Sequence, residues 1–183
     1  MQPHVNKVVK SVDVALNFIG EYRHSVDNKG RVAVPNAFRR RLPPESGGKL
    51  VLLRGRDRTI EVHPLSEWNA FVNRTLLKLP LYQPAAVKVR RYRFASATEV
   101  ALDSQGRVLL PRHLRDDAGI AGEAIVAGAG NHFELWEPGR YQQFLREASE
   151  SHDRDLAELE RQGWGDGNDG RSTGGVSPAG HGQ

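Results

Sequence analysis

Apolar and polar residues mix at strand length over Phe18 to Val26 and again over Phe94 to Leu102, and each stretch runs into a cluster of turn residues. The turns are Asp27 to Gly30 and Asp103 to Gly106. Asp opens a type I turn because its carboxylate accepts from backbone amides two residues on, and Gly at the fourth position takes a left-handed conformation. Short return strands follow, Val32 to Val34 and Val108 to Leu110, each ended by a proline. Pro35 and Pro111 lack the amide a ladder needs but suit the first turn of a helix. The pattern therefore predicts helices over Asn36 to Leu42, stopped by Pro43-Pro44, and from Pro111 through Ala118, with Gly119 as a C-terminal cap.

Beyond each helix the pattern returns to strands. Leu50 to Leu53 and Thr59 to Val62 form one predicted pair across the charged turn Arg54 to Arg58, and Ala124 to Ala127 with His132 to Trp136 form the other. Apolar positions then switch to helical spacing at Trp68, Phe71, Val72, Leu76 and Leu79, and again at Tyr141, Phe144, Leu145, Ala148, Leu156 and Leu159. Between the halves, Gln83 to Arg93 predicts a short basic helix carrying Lys88, Arg90, Arg91 and Arg93. Beyond Gly163 the chain is rich in Gly, Asp and Ser and predicts disorder, since it cannot offset its ordering entropy.

The two halves share one order of elements, and a thirteen-residue stretch makes the repeat explicit. Asp27 to Arg39 and Asp103 to Arg115 lie 76 residues apart and are identical at six positions, including the Asp, Gly, Arg and Pro of turn and strand end. Two similar units of about that length are expected, each marginal alone, because a domain of about 60 residues buries only about 60% of its unfolded surface.

Charge divides the chain. Residues 1–96 carry 18 Lys/Arg against 7 Asp/Glu, and residues 97–183 carry 8 against 15. A basic half is the footprint of a polyanion binder, and equally of a surface charged for solubility. Absent cysteine removes disulfides, thiolate metal sites and cysteine nucleophiles. No apolar run approaches the ~18 residues of a membrane span, so a soluble intracellular protein is expected.

The candidate chemistry lies in the turns. Asp27 and Arg31 flank a tight reversal, so the carboxylate can orient the guanidinium, and a pre-aimed arginine suits phosphate oxygens or the O6/N7 edge of guanine. Lys29 at the tip adds a less directional phosphate contact. The plainer alternative is that Asp27 only caps the turn and Arg31 only pairs with it. Recurrence at Asp103, Gln105 and Arg107 favours function for the arginines. The run Arg39-Arg40-Arg41 widens the basic surface, or is a solvated face, and is matched in the second copy only at Arg115.

Enzymatic patterns are weak. His24, His63, His113 and His132 are scattered without a HExxH-type pair or a nearby acidic ligand set, which favours ordinary surface or packing histidines over a metal site. There is no Walker loop, GxGxxG turn or nucleophile elbow. Trp68, Trp136 and Tyr141 sit on amphipathic elements and are expected in the core. No cofactor is expected.

With these residues in view, the chain resembles the MraZ family of bacterial transcriptional regulators. The resemblance rests on Phe18-Ile19-Gly20, on the paired DxxxR turns Asp27 to Arg31 and Asp103 to Arg107, on both downstream prolines and on Phe133-Glu134-Leu135-Trp136, and spans about residues 17–150. It implies an α+β, mainly β fold: two tandem AbrB-like swapped-hairpin modules forming a pseudo-dimeric β-barrel with flanking helices. It also implies DNA contacts by Arg31 and Arg107 with Lys29 assisting, and turns shaped by Asp27 and Asp103. Promoter direct repeats of double-stranded DNA are the implied partner, generally with repression of the protein's own operon in the division and cell-wall cluster, in a ring-shaped homo-oligomer at the nucleoid.

The expected boundaries are an extension over 1–17, modules over 18–65 and 94–137, a helical linker over 66–93, a C-terminal helix over 138–162 and a tail over 163–183. The chain departs from the family pattern in its first 16 residues, either an arm or an upstream start codon, in Gln105 where the first turn has Lys29, and in its glycine-rich tail. Related swapped-hairpin modules also serve as protein-interaction scaffolds, which is the alternative function.

Overall fold

The computed structural model describes residues 18–163, so the N-terminal extension and the glycine-rich tail lie outside the described residues. The first turn is set as its sequence predicts: β1 (Glu21–Ser25) runs into Asp27 to Gly30 and returns as β2 (Arg31–Ala33). The first helix, α1 (Asn36–Arg39), is shorter than expected, because its last amides, Arg41 and Leu42, bond back three residues, to Phe38 and Arg39, as the chain tightens ahead of Pro43. After it come β3 (Lys49–Arg54), β4 (Ile60–Pro64) and α2 (Leu65–Arg74), the last passing into a 3₁₀ turn over Leu76–Lys78.

The basic linker forms α3 (Pro84–Ser96), which ends three residues later than predicted, so the next strand, β5 (Thr98–Ala101), starts at Thr98 instead of Phe94. Ser96 explains the difference. Its buried hydroxyl donates to the Tyr92 and Arg93 carbonyls (2.9 and 3.2 Å) and accepts from the Arg54 amide at 3.3 Å, tying the last helical turn to β3. The second half continues with β6 (Arg107–Leu109), α4 (Arg112–Ala118), β7 (Glu123–Gly128), β8 (Phe133–Trp136) and α5 (Pro138–Arg161), and Gly119 caps α4 at φ +69°.

Strand pairing interlaces the halves. Six strands form an antiparallel sheet in the order β1-β7-β8-β4-β3-β5, so the first strand of each half pairs with the third strand of the other. β2 and β6 leave that sheet and pair with each other, with Arg31 opposite Leu109 and Ala33 opposite Arg107. The fold is α+β, as expected, but the expected barrel is absent among the described residues: the larger sheet stays open, ending on β1 and β5, because the hairpin partners of those edges form a sheet of their own.

Alternation along β3 gives the large sheet two buried faces. Leu50 and Leu52 point into the main core with Phe18, Phe38 and Phe133, whose rings meet at 5.3 to 5.4 Å, while Val51 and Leu53 pack under Trp68 and Leu76. Trp68 and Trp136 are buried as expected, and the Tyr141 ring meets Trp136 edge-on at 5.6 Å. Two compact units are distinguished, one ending at Tyr141 and one beginning at Gln142. In the second, α5 leaves Phe144, Leu145, Leu156 and Leu159 exposed by 40 to 47%.

Candidate nucleic-acid interface

The two DxxxR turns are built by the same bonds. Asp27 Oδ1 accepts from the amides of Lys29 and Arg31, both at 2.9 Å, and Oδ2 accepts from Arg31 Nε at 2.7 Å. In the second turn Asp103 Oδ1 accepts from the amides of Gln105 and Arg107 at 2.9 Å, and Oδ2 accepts from Arg107 Nε at 2.8 Å, with Arg107 Nη2 also 2.8 Å away in the ion pair. Gly30 and Gly106 close the reversals at φ +80° and +73°, donating to the Asp27 and Asp103 carbonyls. The capping role and the orienting role, separate alternatives in the sequence, are thus performed by one carboxylate.

These bonds also set the charge of the turns. The Arg31 amide, together with its guanidinium, holds the Asp27 carboxyl below its ordinary value, and the Arg107 amide and guanidinium do the same for Asp103. Both carboxylates therefore stay ionised and keep their grip on the arginines at neutral pH. The side chains of Arg31 and Arg107 are about one-third and one-quarter exposed (31% and 26%), enough to present an N–H edge outward while the carboxylate fixes the plane.

The β2–β6 pairing sets the turns side by side. Val34 N–H donates to the Gly106 carbonyl at 3.0 Å and Leu110 N–H to the Gly30 carbonyl at 2.9 Å, a pair related by the repeat. Arg107 Nη1 comes within 3.9 Å of Asp27 Oδ2, so the two anchored arginines share one patch. Lys29 and Gln105 are exposed at the tips, and Arg39, Arg40 and Arg41 are exposed at the end of α1.

The structure redistributes the basic run. Arg39 packs on Gly106, the glycine of the second turn, and Arg115 packs on Gly30, the glycine of the first. Arg39 therefore supports the opposite turn from the one it follows in sequence. Arg115 belongs to the patch as its mirror; the signal for it was present in the repeat, where it aligns with Arg39.

A second polar cluster was not expected. His63 and His132, distant in sequence, stack at 4.6 Å with rings 8° from parallel, beside Glu61. The expectation of histidines without acidic neighbours fails here because β4 and β8 pair in a register that places Glu61 opposite Glu134.

Known proteins match most of the chain. The family model described as "MraZ protein, putative antitoxin-like" matches residues 17–91 and 93–161, one match for each half. A protein of Halothermothrix orenii named transcriptional regulator MraZ is 37% identical over 146 residues, 80% of this chain and 99% of its own length. Proteins of the same name from Ligilactobacillus salivarius and Herpetosiphon aurantiacus are 40% and 41% identical, over 77% and 70% of this chain and 94% and 86% of their own. With both repeats matched in order, and the paired DxxxR turns at corresponding places in each, the chain belongs to the MraZ family.

Proposed function

We propose that this chain is a non-enzymatic transcriptional regulator that binds double-stranded DNA through the two DxxxR turns. The observation that carries the reading is the adjacency of two arginines, Arg31 and Arg107, each locked by its own aspartate and presented on neighbouring hairpin tips. An anchored guanidinium offers its remaining N–H groups at little entropic loss, to phosphate oxygens or to guanine. Lys29, Arg39, Arg40, Arg41 and Arg115 supply phosphate contacts around them, which position the protein without reading sequence. Gln105 extends the second tip by hydrogen bonding alone. The first tip carries Lys29 where the second has the uncharged Gln105, so the first tip dominates affinity.

The wider reading follows the family. Residues 18–65 and 94–137 act as AbrB-like modules joined by the linker 66–93 and followed by the helix 138–162. The targets are direct repeats in the promoter of the protein's own operon, within the division and cell-wall cluster, and the outcome is repression at the nucleoid. The names of the relatives support a regulator. The exposed apolar stripe of α5 supports homo-oligomerisation, in a ring that multiplies weak contacts through effective concentration. Among the described residues no helix is long and apolar enough to cross a membrane.

The test is a gel shift on DNA upstream of the gene at several salt concentrations, with Arg31→Lys beside the unaltered chain. Lysine keeps the charge and loses the fork, so specific affinity should fall about 5- to 150-fold, the 1 to 3 kcal/mol of a bidentate contact, while nonspecific, salt-sensitive binding persists. Unaltered specific affinity would overturn the assignment of Arg31. Absence of any salt-sensitive binding would overturn the DNA reading in favour of a protein-interaction scaffold.

A further inference from the structure

β4 and β8 run antiparallel with Glu61 opposite Glu134 and Val62 opposite Phe133. Val62 and Phe133 enter the main core, so alternation puts Glu61 and His63 of one strand, with Glu134 and His132 of the other, on the opposite face. Two carboxylates and two imidazoles thus form a compact square across the seam between the halves. Like charges directly opposite on neighbouring strands are unfavourable, and this pair is half-buried, with Glu61 only 7% exposed. Arg93 Nη1 donates to Glu61 Oε2 at 2.7 Å and Trp136 Nε1 donates to Glu134 Oε2 at 2.9 Å, which leaves the imidazoles between two acceptors.

The histidines are not satisfied as ordinary core residues. His63 Nε2 shares Glu61 Oε2 at 3.1 Å, while its Nδ1 is buried with no hydrogen-bond partner. His132 Nδ1 lies 3.0 Å from Asn131 Oδ1, so a proton held there leaves the Nε2 lone pair directed inward, 3.8 Å from Glu134 Oε1. A ring nitrogen fixed by an outer acceptor, with the other nitrogen free, is the arrangement found behind metal-bound histidine. One ligand atom from each of Glu61, His63 and His132 lies within 4.8 Å of the others.

We propose that Glu61, His63 and His132, with Glu134 as the fourth ligand, bind a divalent transition metal of the Zn²⁺ class that staples β4 to β8. Imidazole and carboxylate together suit such borderline ions and not Ca²⁺ or Mg²⁺, which take oxygen alone. Metal–ligand bonds of about 2.0 to 2.2 Å require the four groups to draw in by roughly an ångström, and His132 and Glu134, each about one-fifth to one-quarter exposed (21% and 24%), have room to do so. Arg93 stays on Glu61 as the outer partner of a ligating carboxylate. Because β4 comes from the first half and β8 from the second, the ion would join the repeats at their seam.

The test is calorimetric titration of Zn²⁺ into the full chain after treatment with chelator, with Co²⁺ absorption as a report of coordination. One ion per chain should bind, with a visible Co²⁺ spectrum and a raised melting temperature. His132→Gln should weaken binding at least tenfold, since even outer partners of a metal site contribute ~10- to 100-fold, and should abolish the thermal shift. His132 is partly exposed, so this variant should fold as the parent does. His113→Gln, on the exposed face of α4, should change nothing. Failure to bind one ion per chain, or equal weakening by His113→Gln, would overturn the site. DNA affinity of the metal-free chain is a separate readout, so failure here leaves the DNA reading untouched.

Discussion

The guanidinium of Arg39 rests on the backbone of Gly106, in the turn that belongs to the other copy of the repeat. Its counterpart Arg115 lies on Gly30 in the same way, so each turn is braced by the helix that follows the other.

This bracing makes the glycines irreplaceable. Gly106→Ala meets both a positive φ of +73° and the Arg39 side chain, and should lower stability by about 1 to 3 kcal/mol in urea unfolding. Arg39→Ala in the same chain should recover only part of that loss, because the strained dihedral remains. Full recovery would assign the whole effect to contact.

Asp27→Ala removes the acceptor of three hydrogen bonds and should lower the melting temperature. Hydrogen exchange should quicken first at the Lys29 and Arg31 amides. Specific DNA affinity should fall with it although the basic residues are all retained, since Arg31 loses its anchor. Unchanged exchange at those two amides would contradict the turn geometry.

Acid should open both tips together. Asp27 and Asp103 carry pKa values held below the ordinary 3.8, so their protonation is disfavoured in the folded chain. Their contribution is complete above that ordinary value and is lost as pH falls through the lower folded values. Melting temperature should therefore decline below about pH 4, and an Asp27→Asn, Asp103→Asn chain should show a flatter profile there. Equal slopes in the two proteins would disprove the linkage.

Phe38→Ala should be far more damaging than any turn variant. The ring is fully buried and touches Phe18, Tyr22 and Phe133 at 5.3 Å, so its loss should cost about 3 to 5 kcal/mol, read as a lower denaturation midpoint. It also joins residues from both halves, so loss of one ring should weaken the whole unit in a single transition.

Local chemistry made the tips legible and long-range pairing hid the rest. Asp27, Gly30 and Arg31 act within five residues of one another, so spacing alone identified their turn and its repeat at Asp103. The end of α3 was hidden, because Ser96 is held by Arg54 across the fold and nothing in the local pattern marks it. Alternation in β1 shows that a strand exists but not that its partner is β7. His63 and His132 looked unrelated for the same reason: strand register, which no single sequence displays, brings them together.

Interlaced pairing has a consequence in time. Glu21 waits for Ala127 and Lys49 for Ala101, so neither edge of the large sheet can form while the chain emerges from the ribosome with its second half unmade. Loop closure over such distances favours slow folding. A nascent first half would hold an unpaired β1, an adhesive edge in need of shelter, until β7 is synthesised. The pairing that sets the two arginine tips side by side consequently arises only once the second half has been made.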